Sequence, residues 1–216
     1  GKHLILYSPR GIKFSLSDWA MIDFLHEAVS HGEIVNAQLA ARFPPNDFLD
    51  EKELEKRPWL KYDLPGTRFF AKKDSIVYGA TIRSDDWDMN FHELKRLADE
   101  LAHASVVVGY SSSIIVDAAV FDKPIVGIDF ETKNGLPLAE SPTEYYKTDH
   151  FTKALRSGGI RLVRSKGELL EALNAYLKDP SVDRSGRKRL ADEQCWRLDG
   201  KSGERIALEV IKKLRK

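Results

Sequence analysis

The stretch VVVGYSSSIIVDAAVFDKPIVGIDF, residues 106–130, sets three serines between two segments that both read as buried. SVVVG, residues 105–109, is an unbroken β-branched run of the kind a parallel strand covered on both faces requires. The residues after the serines, through Asp117 to about Phe121, read as a short helix, and PIVGIDF, residues 124–130, as the next strand. Strand, polar turn, helix, strand is a right-handed βαβ unit, and Gly109–Ser113 is its strand-to-helix turn.

The same alternation continues outward in both directions. HLILY (3–7) is a short β run, and after the loop SPRGIKF either Ser17 or Asp18 is placed to cap a helix. Trp19, Ile22, Leu25 and Val29 share one face of that helix, and Gly32 occupies the position that stops it. EIVNAQLA (33–40) reads as the second strand, closed off by Pro44 and Pro45. DEKELEKR (50–57) predicts a short solvated helix, and SIVYGA (75–80) a third strand. Asn90 with Glu93 forms a capping box for a helix through His103. GIRLV (159–163), a helix over 166–179, and two helices near 183–194 and 202–215 complete the chain. The expected fold class is α/β, a Rossmann-like parallel sheet flanked by helices with extra C-terminal helices, as one domain over residues 1–216.

Composition narrows the function classes. With 42% hydrophobic residues the 216-residue chain can bury a real core, and at net charge +1 no global field favours nucleic acid or membrane. No apolar run approaches the ~20 residues that span a bilayer. The single cysteine, Cys195, cannot pair within the chain, and a reducing, cytoplasmic setting is expected. Gly1 is not an initiator methionine, so the chain is expected to begin after cleavage or inside a longer protein. Residues 156–216 hold sixteen Lys/Arg against nine Asp/Glu, without the interleaved aromatics of a nucleic-acid groove, and read as a solvated face.

Ligands of open parallel sheets bind at the carboxyl ends of the strands. Three hydroxyls and the start of a helix make Ser111, Ser112 and Ser113 an anion cradle, to which Arg10 and Arg42 could add charge-assisted contacts to a diphosphate. A plain helix cap is the competing reading of the serines. Asp117, one turn beyond Ser113, suits a ribose diol. Trp87 could stack on a base, and His150, at the start of a helix, could contact the ligand.

Three rival motifs compete with this reading. Gly109-x-Ser111-x-Ser113, with Asp129 and His150 following in order, is similar to the nucleophile elbow of a serine hydrolase, although Ser113 stands where the second glycine belongs. Gly200-Lys201-Ser202 mimics the end of a P-loop, but Cys195 replaces the leading glycine. Asp86-Trp87-Asp88 has the spacing of a metal-holding pair, and its place ahead of a helix favours capping instead.

HLILYSPRG (3–11), GYSSSIIVDAAVFDKPIVGIDF (109–130) and LDGKSGERIALEVI (198–211) together resemble the C-terminal domain of GT-B glycosyltransferases, in particular the CDP-glycerol glycerophosphotransferase-like group. The resemblance implies the donor-binding half of a two-domain enzyme, its N-terminal acceptor domain lying outside this chain. The donor would be a nucleotide-sugar, or a CDP-alcohol in the phosphotransferase alternative, used to build a cell-envelope polysaccharide or similar glycan in the cytoplasm or at the inner face of the membrane. Ser111, Ser112 and Ser113 would hold the diphosphate and Asp117 the ribose. Arg42 would match the arginine of an R-x-H-P segment. Pro44 stands at that segment's histidine and Gly109 at an acidic position, departures that favour the nucleotide-sugar reading. No metal or other cofactor is expected, the general base would come from the other domain, and this chain alone would bind donor without turnover.

Overall fold

The computed structural model describes residues 1–11, 17–44, 51–64, 90–132 and 142–215. Its strands are β1 (His3–Ser8), β2 (Ala37–Arg42), β3 (Lys61–Asp63), β4 (Val106–Gly109), β5 (Ile125–Ile128) and β6 (Arg161–Val163). Its helices are α1 (Asp18–Ser30), α2 (Glu51–Glu55), α3 (Phe91–His103), α4 (Ile114–Val120), α5 (Pro142–Tyr146), α6 (Asp149–Arg156), α7 (Lys166–Lys178), α8 (Arg184–Cys195) and α9 (Ser202–Leu214). All strand pairs are parallel, in the order β3-β2-β1-β4-β5-β6. That is a Rossmann-like sheet, as the βαβ reading requires.

Alternation along each strand feeds two separate cores. Ile5 and Tyr7 of β1, Val106 and Val108 of β4, and Val126 and Ile128 of β5 face α1 and α7, against Met21, Ile22, Leu25, Leu169 and Leu173. Leu6, Val107 and Ile125 point the other way, onto Leu101, Ile115, Ala118, Phe151 and Leu190 of α3, α4, α6 and α8. Because both faces are covered, the strands carry no polar side, and this is why 105–109 reads as a continuous apolar run.

Several boundaries differ from the sequence expectation. β2 starts at Ala37 rather than at Glu33, because Asn36 adopts a left-handed turn (φ 54°) just before it. Arg42 is therefore the last residue of β2 and not a loop residue. The three-residue β3 pairs Ala40–Arg42 with Lys61–Asp63 and has no counterpart in the sequence reading. Ser17 precedes α1 without capping it, whereas Asn90 caps α3 by accepting from the N–H groups of His92 and Glu93. Glu93 does not close the box, since its carboxylate pairs with Arg96. Gly32 stops α1 as read, at φ 76°. The expected strand at 75–80 and the Asp86–Asp88 pair lie outside the described residues.

Candidate functional site

The order β3-β2-β1-β4-β5-β6 turns at the β1–β4 pair, and ligands of open parallel sheets bind beyond the carboxyl ends of the strands at such a point. Ser8 of β1 lies opposite Gly109 of β4 in the register. A Cβ on Gly109 would sit 2.8 Å from the Ser8 carbonyl oxygen, so a side chain here would push the two strand ends apart.

The loop after β1 is tied down by a residue that the sequence suggested only as a cap. Asp18 is buried at the first turn of α1, and its Oδ1 accepts from Tyr7 Oη at 2.9 Å and Arg10 N at 3.2 Å. Its Oδ2 accepts from Gly11 N at 2.9 Å, where a positive φ of 91° turns the chain. Burial lifts the Asp18 carboxyl to about 6, and these hydrogen bonds only partly oppose the shift. Ser17 reaches the loop after β5 instead: Ser17 Oγ donates to Glu131 at 3.3 Å and accepts from Thr132 N at 3.3 Å. The edges of β1 and β5 are thereby joined across β4.

The serine loop sits in this frame. Ser113 precedes α4 with helical backbone angles and makes no side-chain capping bond. The capping reading of the serines therefore finds no support at the residue where it applies. Ser111 Oγ is buried and has no hydrogen-bond partner among the described residues, and the same holds for Tyr110 Oη, Tyr146 Oη and one carboxylate oxygen of Asp129. Buried polar groups are nearly always satisfied, so a cluster of orphans at one sheet edge points to something that completes it. Burial, with the negative charges of Asp18 and Glu131, pushes the Tyr110 phenol far up. The Tyr146 phenol is raised likewise, by burial first and then by Asp129.

A cavity of about 460 Å³ opens beside the loop. It is lined by Ser111, Ser112 and Ser113, by Tyr145, His150 and Phe151 of α5 and α6, and by Gln194 of α8. Exposed His150 tilts against the Phe151 ring at 4.6 Å between centroids. The Arg10 guanidinium lies 4.4 Å over the ring of Tyr145, a residue that lines the cavity. The structure thus brings Ser111, Ser112, Ser113 and His150 to one cavity, with Arg10 stacked on Tyr145, one of its lining residues.

Arg42 and Asp117 form a second group, in which the Arg42 charge acts on the Asp117 carboxyl. Arg42 is buried, with its guanidinium 2.6 Å from Asp63 and 2.5 Å from Glu100. Held by two carboxylates, it is not presented to a diphosphate in the way the resemblance implies. Burial raises the Glu100 carboxyl to about 7 in spite of Arg42. Desolvation also raises Asp117, and the Arg42 charge partly offsets it. Trp87 lies outside the described residues.

The hydrolase constellation is not assembled. Ser111 Oγ has no partner to take its proton, and Asp129 pairs with Arg164 at 3.5 Å rather than with His150. Among the described residues no group of three or more His, Cys, Asp or Glu side chains is arranged to hold a metal ion. Tyr145, Tyr146 and Gln194 went unnoticed in the sequence: no local motif marks the tyrosines, and Gln194 arrives on a distant helix.

No family model and no curated protein matches the sequence. Solved structures do match. Over 99% of this chain and 47% of that one, the structure is similar to S. aureus MnaA solved with UDP, with a TM-score of 0.56 and 12% identity. It also aligns with E. coli ADP-heptose lps heptosyltransferase II (TM-score 0.43, 12% identity, 82% of this chain and 47% of that one). A third alignment is with TarM (TM-score 0.43, 10% identity, 98% of this chain and 34% of that one). The chain spans about half the length of these proteins or less. Strand order, two-sided burial and the first of these superpositions give one result: the fold is a Rossmann-like α/β sheet of the GT-B type.

Proposed function

We propose that the chain binds the nucleoside diphosphate of a nucleotide-sugar donor, for glycosyl transfer to a cell-surface glycan or a similar acceptor. The observation that carries this is the unpartnered Ser111 Oγ, buried in the loop that lines the 460 Å³ cavity after β4. The UDP held by MnaA, whose structure this fold superposes on, is in keeping with it.

In this reading Ser111, Ser112 and Ser113 supply hydroxyls to the diphosphate, and Arg10 supplies charge from over Tyr145. Asp117, one turn along α4 from Ser113, accepts from the ribose diol, while His150 contacts the donor from α6. Arg42 acts as a positioning residue: it fixes β2, β3 and α3 through Asp63 and Glu100 and keeps a positive field beside Asp117. Loss of the nucleoside diphosphate leaves negative charge on the leaving oxygen, and Arg10 with the serine loop would stabilise it. The acceptor and its general base belong to a further domain, so this chain alone binds donor and turns nothing over.

Calorimetry and thermal shift with UDP, CDP, GDP and ADP test the reading. A diphosphate present at about 100 times its Kd adds roughly 2.7 kcal/mol to stability, which is about 5–11 °C for a chain of this size. Ser111→Ala removes one hydrogen bond to the ligand and lowers affinity about tenfold. Its effect on the unliganded fold is small, because that hydroxyl has no partner to lose. Absence of binding by all four nucleotides at millimolar concentration rejects the proposal. CDP selectivity with transfer from a CDP-alcohol would replace it by the glycerophosphotransferase alternative. Labelling of Ser111 by a fluorophosphonate would replace it by the hydrolase.

A further inference from the structure

The loop that carries Arg10 is held by one buried carboxyl, which receives more hydrogen bonds than it can keep once it takes up a proton. Asp18 Oδ1 accepts from Tyr7 Oη and from Arg10 N, and Oδ2 accepts from Gly11 N. As a carboxylate the side chain only accepts, so three donors meet two oxygens without conflict. A neutral carboxyl brings a fourth hydrogen into the same space. On Oδ2 that hydrogen faces the Gly11 N–H, donor against donor. On Oδ1 it must be given to Tyr7 Oη, and the phenol hydrogen is then left without its acceptor at a fully buried position. Either way a donor is displaced. Tyr7 is fixed in β1 by pairing on both sides, with Ala41 and Val108, so the partner that yields is the loop with its two amides.

The same loop places Arg10, whose guanidinium lies over the ring of Tyr145, a residue lining the serine cavity. Asp18 does not line that cavity and reaches it only through Arg10. The groups that act on the Asp18 charge are Tyr7 of β1, Arg10 of the loop and, from the end of β4, Tyr110. Glu131, in the loop after β5, acts on Tyr110 and accepts from Ser17, the residue before Asp18. Burial pushes both phenols far up, so neither gives up its proton near neutral pH. The Asp18 carboxyl, which burial lifts to about 6, does change charge there.

We propose that Asp18 is a positioning residue of the donor site: as a carboxylate it sets the Arg10–Gly11 loop for the diphosphate, and its protonation frees the loop and weakens donor binding. The inference rests on the donor reading given above. Two effects of the Asp18 charge oppose each other. It repels an anionic ligand, but three donors meet that charge, as does Arg10, which touches a cavity residue where Asp18 does not. A displaced Arg10, by contrast, forfeits a charge-assisted bond to phosphate, worth about tenfold or more in affinity. Positioning therefore outweighs repulsion, and the donor binds more tightly as pH rises through about 6. Protonation of His150 would add positive charge at the cavity and act in the opposite direction.

Two measurements test it. In nitrogen–proton correlation spectra of the unliganded chain, the Arg10 and Gly11 amide signals should titrate together, with a midpoint near 6, and Asp18→Asn should abolish the change. Tyr7→Phe removes a bond that favours the anion, so it should raise that midpoint; this variant keeps the test available if Asp18→Asn folds poorly. Affinity is then read with UDP-, CDP-, GDP- and ADP-glucose, whose phosphates keep a constant charge over the range used. The tightest of them should bind about tenfold more weakly at about pH 5 than at about pH 8, and Asp18→Asn should bind it weakly at both. His150 is present in both proteins, so its protonation cancels from their difference. Amide signals that do not titrate, or a midpoint unmoved by Tyr7→Phe, overturn the proposal. So does tighter binding at low pH in that difference, or a pH dependence that survives Asp18→Asn in full. Binding that is flat with pH overturns it and leaves the donor reading standing, whereas no binding at any pH rejects both.

Discussion

Asn in place of Asp18 is the sharpest probe of the frame that holds the site. In the folded chain burial lifts the Asp18 carboxyl from the ordinary 3.8 to about 6. For an acid with a raised folded value, the native state holds its proton more tightly than the unfolded chain does. Stability from this group is therefore complete below about pH 4 and declines as pH rises towards 6, after which it is constant. A shift of about two units corresponds to about 3 kcal/mol, or about 6–12 °C in melting temperature for a chain of this length. Paired carboxylates elsewhere, such as Glu53 and Asp199, are held below their ordinary values and slope the opposite way, so wild type alone is uninformative. The difference between wild type and Asp18→Asn isolates the one group. Urea unfolding at intervals from pH 4 to 8 should show the variant gaining about 3 kcal/mol relative to wild type as pH rises, whatever their offset at pH 4. That offset should be a loss, because the Asn amide presents a donor to Gly11 N–H, which already donates to Oδ2 at 2.9 Å. A flat difference would refute the reasoning. A slope of opposite sign would mean that Tyr7 and the two amides stabilise the anion by more than burial costs it.

Two glycines should respond in opposite directions to the same substitution. A Cβ on Gly186 would lie 2.1 Å from the Gly158 carbonyl oxygen, so Gly186→Ala must move backbone and should cost about 1–3 kcal/mol or more. Gly203, inside α9, has nothing within 4 Å of the added atom, and Gly203→Ala should stabilise by about 0.5–1 kcal/mol where the helix contributes to the unfolding transition. Thermal melts of both variants check the pair, and a loss at Gly203 would mean that α9 is not open on that side. Arg187 is fully buried and donates to Asp122 at 3.0 Å, to the Val182 carbonyl at 2.6 Å and to the Pro180 carbonyl at 2.7 Å. Arg187→Ala should cost about 3–5 kcal/mol in urea unfolding, and Arg187→Lys should recover little of it, because an ammonium cannot reproduce the planar fork.

The fold was legible where one physical signal acted alone. Both faces of β4 and β5 are covered, so hydrophobicity without alternation marked them, and the helix between them fixed their parallel sense. Legibility failed where a turn or a pairing set the boundary. Asn36 in the left-handed region delays β2 by four residues, and no propensity scale registers that. β3 has three residues and exists because Ala40–Arg42 offers an edge to pair with. Neither feature is written in a hydrophobic period.

The site divides along the same line. The serine loop was visible because a polar knot between two buried segments is locally improbable, and its lack of a cap bond strengthens that signal. Partners that reach it from elsewhere were not visible. Tyr145 and Gln194 stand on α5 and α8, and only the packing of α4, α6 and α8 on one face of the sheet brings them to the serines. Arg42 shows the reverse error. As a cation at a strand end it looked available, yet Asp63 and Glu100, twenty-one and fifty-eight residues away, take up its guanidinium. A charge is a ligand-binding candidate only when the rest of the chain leaves it unclaimed, and that depends on residues no local motif contains. Ser111 passes this criterion, because its hydroxyl is buried and no group among the described residues satisfies it. Sequence can nominate an arginine or a serine by position, but the hydrogen bonding of the whole fold decides which of them still has something to offer a ligand.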